Sequence, residues 1–125
     1  MTQQTINIGT ANNAGNGDPL RTAFTKINAN FTDLYSGAHT TQLVTASTYT
    51  ASSSDYYIGV NYAGPVTITL PSGINGYQLV IKDESGRASA YPITIVGTID
   101  NNANIVLAVN NGALTLIYRA GWRLI

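Results

Sequence analysis

The chain contains no cysteine and a single histidine in 125 residues. The absence of cysteine excludes disulfides and thiolate chemistry. The histidine, His39, is expected in a connecting segment, where it is interpreted as an ordinary polar residue. One histidine without a thiol leaves a transition-metal site without enough donors. We therefore predict no metal, no cofactor and no catalytic residue.

Charge is also scarce, since Asp, Glu, Lys and Arg together make up 10% of the chain and sum to zero net charge. Soluble domains usually carry about 25% charged residues. A neutral chain has no electrostatic footprint for nucleic acid or anionic lipid. No apolar run approaches the roughly 20 residues that span a bilayer. We therefore expect neither nucleic-acid binding nor membrane insertion. The start of the chain also lacks the basic and apolar parts of a signal peptide.

An amphipathic helix is predicted over residues 19–36. Asp18 is expected to be its N-cap, Pro19 its first residue, and Gly37 its left-handed end. Apolar side chains recur along it at alternating spacings of four and three, which is the pattern of a coiled-coil interface. These five residues, the apolar stripe, are Leu20, Phe24, Ile27, Phe31 and Leu34.

The apolar stripe of a single helix needs a partner, and the simplest partner is another copy of the same helix. The helix spans less than three heptads, which is short for an autonomous coiled coil. An alternative is that the stripe packs on the chain's own domain. We favour self-assembly because a connector at residues 38–42 separates the helix from the region that follows.

From residue 43 onward, apolar and polar residues alternate as in half-buried strands. Turn-forming residues separate the runs, and Asn110, Asn111 and Gly112 predict a hairpin. Short strands at this spacing favour a small antiparallel β-sandwich or barrel. No internal repeat is evident in the sequence. The predicted organisation is an attachment segment over residues 1–42 and a β head over residues 43–125, with Trp122 packed in its last strand.

Few residues are candidates for chemistry. Asp83 and Glu84 are neighbouring carboxylates, but the sequence DESG is typical of a turn rather than of a hydrolase pair. The DNN sequence at 100–102 offers oxygens for calcium, yet it lacks the rest of a calcium loop and predicts a hairpin or loop. The loop at residues 9–17 has three glycines but no phosphate-binding lysine. It is predicted to be a docking loop.

Eight tyrosines are present, and three of them, Tyr56, Tyr57 and Tyr62, lie close together in sequence. Tyrosine is well suited to stacking on sugars and to protein interfaces. The alternatives are contact with a host surface glycan and burial at a subunit interface. Interface or core packing is the preferred interpretation.

The sequence of residues 6–35 resembles segments near the N-termini of tailed-phage virion proteins. The shared pattern is INIG at 6–9, GDPLR at 17–21 and KINANFTDLY at 26–35. Baseplate and fibre-attachment proteins of contractile-tailed phages carry similar segments. The resemblance implies a trimeric helix that docks on the virion. The docking residues it implies are Ile6, Ile8, Gly9, Gly17, Asp18 and Arg21.

The second half also resembles virion proteins, through VTITLP at 66–71, LVIKDESG at 79–86, PITIV at 92–96 and LTLIY at 114–118. Small β domains of tail fibres look similar. The two resemblances imply a homotrimeric structural protein of the virion, assembled in the host cytoplasm. The short chain is expected to be an attachment, adaptor or short fibre protein of the tail or baseplate, bound to other virion proteins. Capsid decoration and a carbohydrate-binding receptor module are the alternatives.

Overall fold

The computed structural model describes residues 3–37 and 39–125 and contains two compact units. The N-terminal unit ends at residue 38 and the β unit begins at His39. The first two residues of the expected attachment segment, and the first residue of the expected connector, lie outside the described residues. Strand β1 begins at Thr41, so it crosses the expected boundary at 42–43.

The N-terminal unit contains helix α1 (Leu20–Ser36). The helix ends at Gly37, whose left-handed backbone (φ 62°) confirms the predicted C-terminal signal. Its start differs from the prediction. Pro19 occupies the N-cap position, and no side chain caps the first turn. No residue of α1 is fully buried.

The β unit forms one sheet, which confirms a mainly β chain with one helix. Within the described residues its strands are β1 (Thr41–Val44), β2 (Thr48–Thr50), β3 (Tyr57–Val60), β4 (Val66–Thr69), β5 (Gln78–Asp83), β6 (Ile93–Ile99), β7 (Asn102–Leu107), β8 (Ala113–Tyr118) and β9 (Trp122–Leu124).

Strand pairing differs from the predicted antiparallel sandwich or barrel. Strands β1, β3 and β5 pair in parallel on one face, and β2, β4 and β6 pair in parallel on the other. Successive strands along the chain alternate between the faces, so each pair forms one coil of a short β-solenoid. The parallel ladders are possible because the strand on the opposite face acts as the crossover connection that parallel pairing requires.

The end of the unit supplies the antiparallel part of the sheet. Strand β7 pairs with β6 through a hairpin whose two turn residues, Asp100 and Asn101, both have positive φ. Strand β8 pairs with β5, and β9 joins β8 to β6. The prediction of a hairpin at 110–112 is wrong, because β7 and β8 do not pair. Those residues form only a tight turn, in which the Gly112 N–H donates to the Val109 carbonyl.

The core lies between the two faces of the solenoid. It consists of the inward-facing residues of the ladders, such as Ile58 beside Ile81 and Ile68 beside Ile95, all fully buried. Trp122 closes one end, with its ring 5.4 Å from those of Tyr77 and Tyr118. Its indole N–H donates to the Pro71 carbonyl. The packing predicted for Trp122 is confirmed.

Candidate assembly and attachment surfaces

The apolar stripe of α1 lies on the surface of the N-terminal unit. Four of its residues are between 52% and 73% exposed, and Ile27 is half-buried. A shallow groove of about 270 Å³ runs along it, lined by Ile27, Asn30, Phe31 and Leu34. Exposed apolar surface of this regularity is typical of an interaction site. The exposed residues of the stripe are Leu20, Phe24, Phe31 and Leu34.

Residues 4–9, which we call the arm, lie beside one flank of the helix and beside the residues just before it. Asn30 holds the arm twice, because its Oδ1 accepts from the Gln4 N–H at 2.6 Å and its Nδ2 donates to the Gln4 carbonyl at 2.9 Å. Lys26 donates to the Thr5 carbonyl at 2.9 Å. The polar residues of the KINAN sequence thus bind the backbone of the chain itself.

Asp18 joins the arm to the helix instead of capping the helix. Its Oδ2 accepts from the Asn7 N–H at 2.9 Å and from the Lys26 ammonium at 2.6 Å. The Asp18 N–H in turn donates to the Asn7 carbonyl at 2.7 Å. The hydrogen bond from Lys26, followed by that from Asn7, lowers the pKa of Asp18 below its ordinary value of 3.8. The predicted N-cap role is wrong because this carboxylate faces the arm.

Two glycines permit the close approach of the arm to the start of the helix. A Cβ on Gly17 would lie 2.9 Å from the Asn7 carbonyl oxygen and 3.1 Å from the Gly9 nitrogen. Gly9 has φ +80°, and a Cβ there would meet the Asn16 side chain at 2.8 Å. Both positions therefore require glycine for the internal fold of the unit.

The structure divides the six residues implied in virion docking into two groups. Gly9, Gly17 and Asp18 make the contacts that hold the arm at the start of the helix, and Ile6 is half-buried. Ile8 and Arg21 remain exposed, Ile8 to 89%. The exposed pair are the residues of this set that are accessible to another protein.

The three tyrosines considered for receptor contact have different neighbours. Tyr56 stacks on His39 with ring centroids 4.0 Å apart and lines a groove of about 360 Å³. The Tyr57 hydroxyl donates to Glu84 at 2.6 Å, and this bond followed by burial raises the pKa of Tyr57 to about 12. Tyr62 follows the end of β3 by two residues and packs on the core.

Asp55 organises a tyrosine network that the sequence reasoning missed. Its side chain is buried and accepts from the Tyr49 hydroxyl and the Ser52 N–H, each at 2.8 Å. The Tyr77 hydroxyl donates to the carbonyls of Ser52 and Asp55. Burial, followed by the influence of Asp55, raises the pKa values of Tyr49 and Tyr77 to about 12.

Asp83 has a structural role beyond the predicted turn. It is the last residue of β5 and only 1% exposed. Burial disfavours its charge, but hydrogen bonds from Ser85, Ala88 and Asn111 outweigh that cost and lower its pKa below 3.8. Its two oxygens accept from donors 2.7–3.1 Å away in the 84–91 and 108–112 loops. The carboxylate therefore ties these two loops together.

Glu84, the second carboxylate considered for chemistry, also has a structural partner. Glu84 lies across Gly59, where a Cβ would collide with its carboxylate, and accepts from Tyr57. Among the described residues, no three acidic or histidine side chains converge as metal ligands. No described helix is long and apolar enough to cross a membrane.

The polar residues that hold the arm were not identified from the sequence. Lys26 and Asn30 fall outside the apolar stripe and have the character of solvated positions, although their i, i+4 spacing places them on one flank. That spacing was the available signal. The sequence contains no comparable signal for Asp55, because this residue follows a run of serines that is typical of an exposed loop.

Comparison with known proteins shows a similarity to a phage baseplate protein. No protein-family model matches the chain. The chain is 36% identical over 141 aligned residues to baseplate wedge protein gp10 of Enterobacteria phage T4. The alignment covers 97% of this chain and 23% of that protein, so the chain spans under a quarter of its relative's length. The similarity supports a phage baseplate or tail protein.

Proposed function

We propose that the chain is a structural component of a tailed-phage virion, placed in the tail or baseplate. The observation that carries this proposal is the similarity to a baseplate wedge protein along nearly the whole chain. It favours the tail over the capsid, since the similar protein is named for the baseplate. Location in the virion follows from the same proposal.

The N-terminal unit is proposed to assemble the chain as a homotrimer through the apolar stripe. The arm already covers one flank of α1, yet four stripe residues stay exposed within the described part of the unit. Leaving this much apolar surface in water is unfavourable by about 25 cal/mol per Å². Phe24 and Phe31 supply bulky side chains that suit the wider interior of three helices.

Attachment to other virion proteins is proposed to use the exposed part of the loop and helix start. Ile8 offers an apolar contact and Arg21 a cationic one. The hydrogen bonds between Asn7 and Asp18 fix the backbone next to Ile8 relative to the start of the helix. A partner would therefore meet a preorganised surface, which lowers the entropy lost on binding.

The proposed role is structural and not enzymatic. The carboxylates considered for chemistry hold the fold, since Asp83 accepts backbone hydrogen bonds and Glu84 accepts from Tyr57. Host glycan binding is not part of the proposal.

Sedimentation of the purified chain tests the trimer. Wild type is expected to sediment as a trimer, and Phe31→Asp as a monomer or aggregate, because a charge would be buried without a partner. Ala29→Asp is the matched control, since it places the same charge on the opposite side of α1 and should leave the trimer intact. A wild type that stays monomeric at high micromolar concentration contradicts the assembly proposal.

Labelling of virions tests the location. Antibodies against the β unit, applied to virions of the phage that encodes the chain, are expected to bind at the tail end. Labels confined to the capsid would overturn the tail placement and favour the decoration alternative. A matched experiment with virions lacking the chain controls for non-specific binding.

A further inference from the structure

Two adjoining grooves lie on the surface of the β unit. The first, of about 360 Å³, is the one that Tyr56 lines, and the second is about 460 Å³. They share the lining residues Ser53, Gly76 and Tyr77, so they form one continuous depression, which we call the serine–tyrosine groove. The other residues along it are mostly polar: His39, Thr40, Ser54, Asp55, Ser72, Ile74, Asn75 and Gln78.

Hydrogen bonds hold the walls of this groove in place. Asp55, 1% exposed, accepts from the Tyr49 hydroxyl and the Ser52 N–H, each at 2.8 Å. The Tyr77 hydroxyl donates to the carbonyls of Ser52 and Asp55. The Tyr77 ring also packs edge-on against Trp122, with centroids 5.4 Å apart. A ligand would therefore meet a preformed surface, which lowers the entropy lost on binding.

Several polar side chains of the groove are available to a ligand. The Ser53 hydroxyl, the Tyr56 hydroxyl and the Gln78 amide make no hydrogen bond within the described part of the chain. The Asn75 Oδ1 accepts from the Ala120 N–H at 2.9 Å, which leaves the amide N–H groups of Asn75 available. Hydroxyl and amide groups both donate and accept hydrogen bonds. Sugar hydroxyls have the same double capacity.

The charge of the groove favours a neutral ligand. Its described lining includes no lysine or arginine, and its one carboxylate belongs to Asp55. An anionic ligand would approach this carboxylate with no cation to balance either charge, which is unfavourable in a partly desolvated site.

The backbone of the groove is already paired, which argues against a peptide ligand. The Tyr56 N–H donates to the Thr40 carbonyl at 3.1 Å, and the Gly76 N–H donates to the Tyr118 carbonyl at 2.9 Å. Extended peptides bind largely through hydrogen bonds to unpaired backbone groups. The groove instead offers hydroxyl groups, amide groups and aromatic rings.

We infer that the serine–tyrosine groove binds a neutral oligosaccharide. Its hydroxyl and amide side chains would bond to sugar hydroxyls, and the electron-rich face of an aromatic ring attracts sugar C–H groups. Tyr56 supplies such a ring, which stacking on His39 at 4.0 Å holds in position. Two adjoining grooves suit a short chain of sugars better than a single sugar.

This inference goes beyond the proposed role in the virion and does not depend on the oligomeric state of the chain. Of the three tyrosines considered for receptor contact, only Tyr56 takes part.

Saturation-transfer NMR on the full chain tests the ligand class. The neutral probes are maltotriose, cellotriose and chitotriose at millimolar concentration, and at least one of them is expected to bind. Glucose should bind more weakly than the trisaccharides, because it would fill only part of the groove. Sialyllactose, which is anionic, and a neutral Gly-Ser peptide should give no signal.

Two variants test the site with the trisaccharide that binds. Tyr56→Ala is expected to weaken binding by about tenfold through loss of the ring contact. Ser53→Ala should weaken it by about fivefold through loss of one hydrogen bond. Tyr91→Ala is the matched control, since Tyr91 is 39% exposed and lines neither groove. The fluorescence of Trp122 during urea unfolding checks that each variant is folded.

Each contrary result overturns a defined part of the inference. No signal from any neutral trisaccharide refutes saccharide binding, and a signal from the peptide alone refutes the choice of ligand class. Equal binding of sialyllactose refutes the argument from charge, and equal binding of glucose refutes an extended site. Binding that survives both Tyr56→Ala and Ser53→Ala places the saccharide elsewhere. None of these results bears on the proposed place in the virion.

Discussion

The two units of this chain handle apolar side chains in opposite ways. In the β unit, the inward-facing aliphatic residues of six parallel strands pack together and are buried, as at Ile58 and Ile81. In the N-terminal unit, the stripe is exposed, and polar residues such as Lys26 and Asn30 make the intramolecular contacts. A unit that buries its own apolar surface can fold by itself. A unit that leaves it outside depends on a partner for stability.

The largest expected effect removes a core side chain from the β unit. Ile81→Ala should cost about 2–5 kcal/mol of unfolding free energy, because a fully buried side chain leaves a cavity. Urea unfolding followed by the fluorescence of Trp122, the single tryptophan, measures this unit alone. Phe31→Ala is the comparison, and should weaken assembly while leaving the Trp122 transition in place. Equal shifts in that transition would show that the units do not differ as described.

The second prediction removes the charge that ties two loops of the β unit. Asp83→Asn should cost about 1–3 kcal/mol, because the amide group turns one acceptor into a donor that faces backbone N–H groups. The same fluorescence measurement applies. Glu84→Gln is the control, since its exposed side chain bonds only Tyr57 among the described contacts. A control as damaging as Asp83→Asn would contradict the buried role of Asp83.

Alkaline pH should destabilise the β unit before it affects the N-terminal unit. Tyr49, Tyr57 and Tyr77 have folded pKa values raised from 10.0 to about 12, so their neutral forms are favoured in the fold. This stabilisation is complete below pH 10 and is lost as pH rises through 12. Absorbance at 295 nm should show late tyrosine ionisation. Tyr49→Phe should remove one late-titrating group, and an unchanged titration curve would argue against its assignment.

The smallest expected effect concerns the arm at acid pH. The folded pKa of Asp18 is depressed, so its contribution is present above the ordinary value of 3.8 and is lost as pH falls below it. Protonation removes the charge that binds Lys26, and the arm should then separate from α1. Amide hydrogen exchange at Asn7, with Asp18→Asn as the reference, reports this release. Protection at Asn7 that persists in Asp18→Asn would show that the carboxylate does not hold the arm.

Several local features could be predicted because they depend on neighbouring residues. The helix, its end at Gly37 and the alternation of residues such as Ile93 and Ile95 follow from spacing and backbone preference. The parallel pairing could not be predicted in this way. Thr41, Tyr57 and Val80 are aligned across three strands, but connections of unequal length separate them, so no repeat appears in the sequence.

The candidate surfaces were predictable to a similar extent. The apolar stripe was identified as a pattern, and the structure places four of its residues on the surface. The arm was missed because Gln4 and Asn30 are 26 residues apart and are joined only by the folded chain. Asp18 illustrates the same limit, since its position suits a helix cap but its carboxylate binds Asn7 and Lys26.

The order of the residues determines the short-range features of this protein, which are one amphipathic helix and a series of short strands. Its composition excludes thiol chemistry, because the chain has no cysteine. The pairing of the strands, the burial of particular carboxylates and the flank of α1 that the arm covers emerge only in the folded chain. Periodicity fixes the face on which a side chain lies, whereas its partner is chosen by long-range packing and hydrogen bonding. Asp83 shows the difference, because its turn sequence is local but the donors that hold its charge include Asn111 from a distant loop.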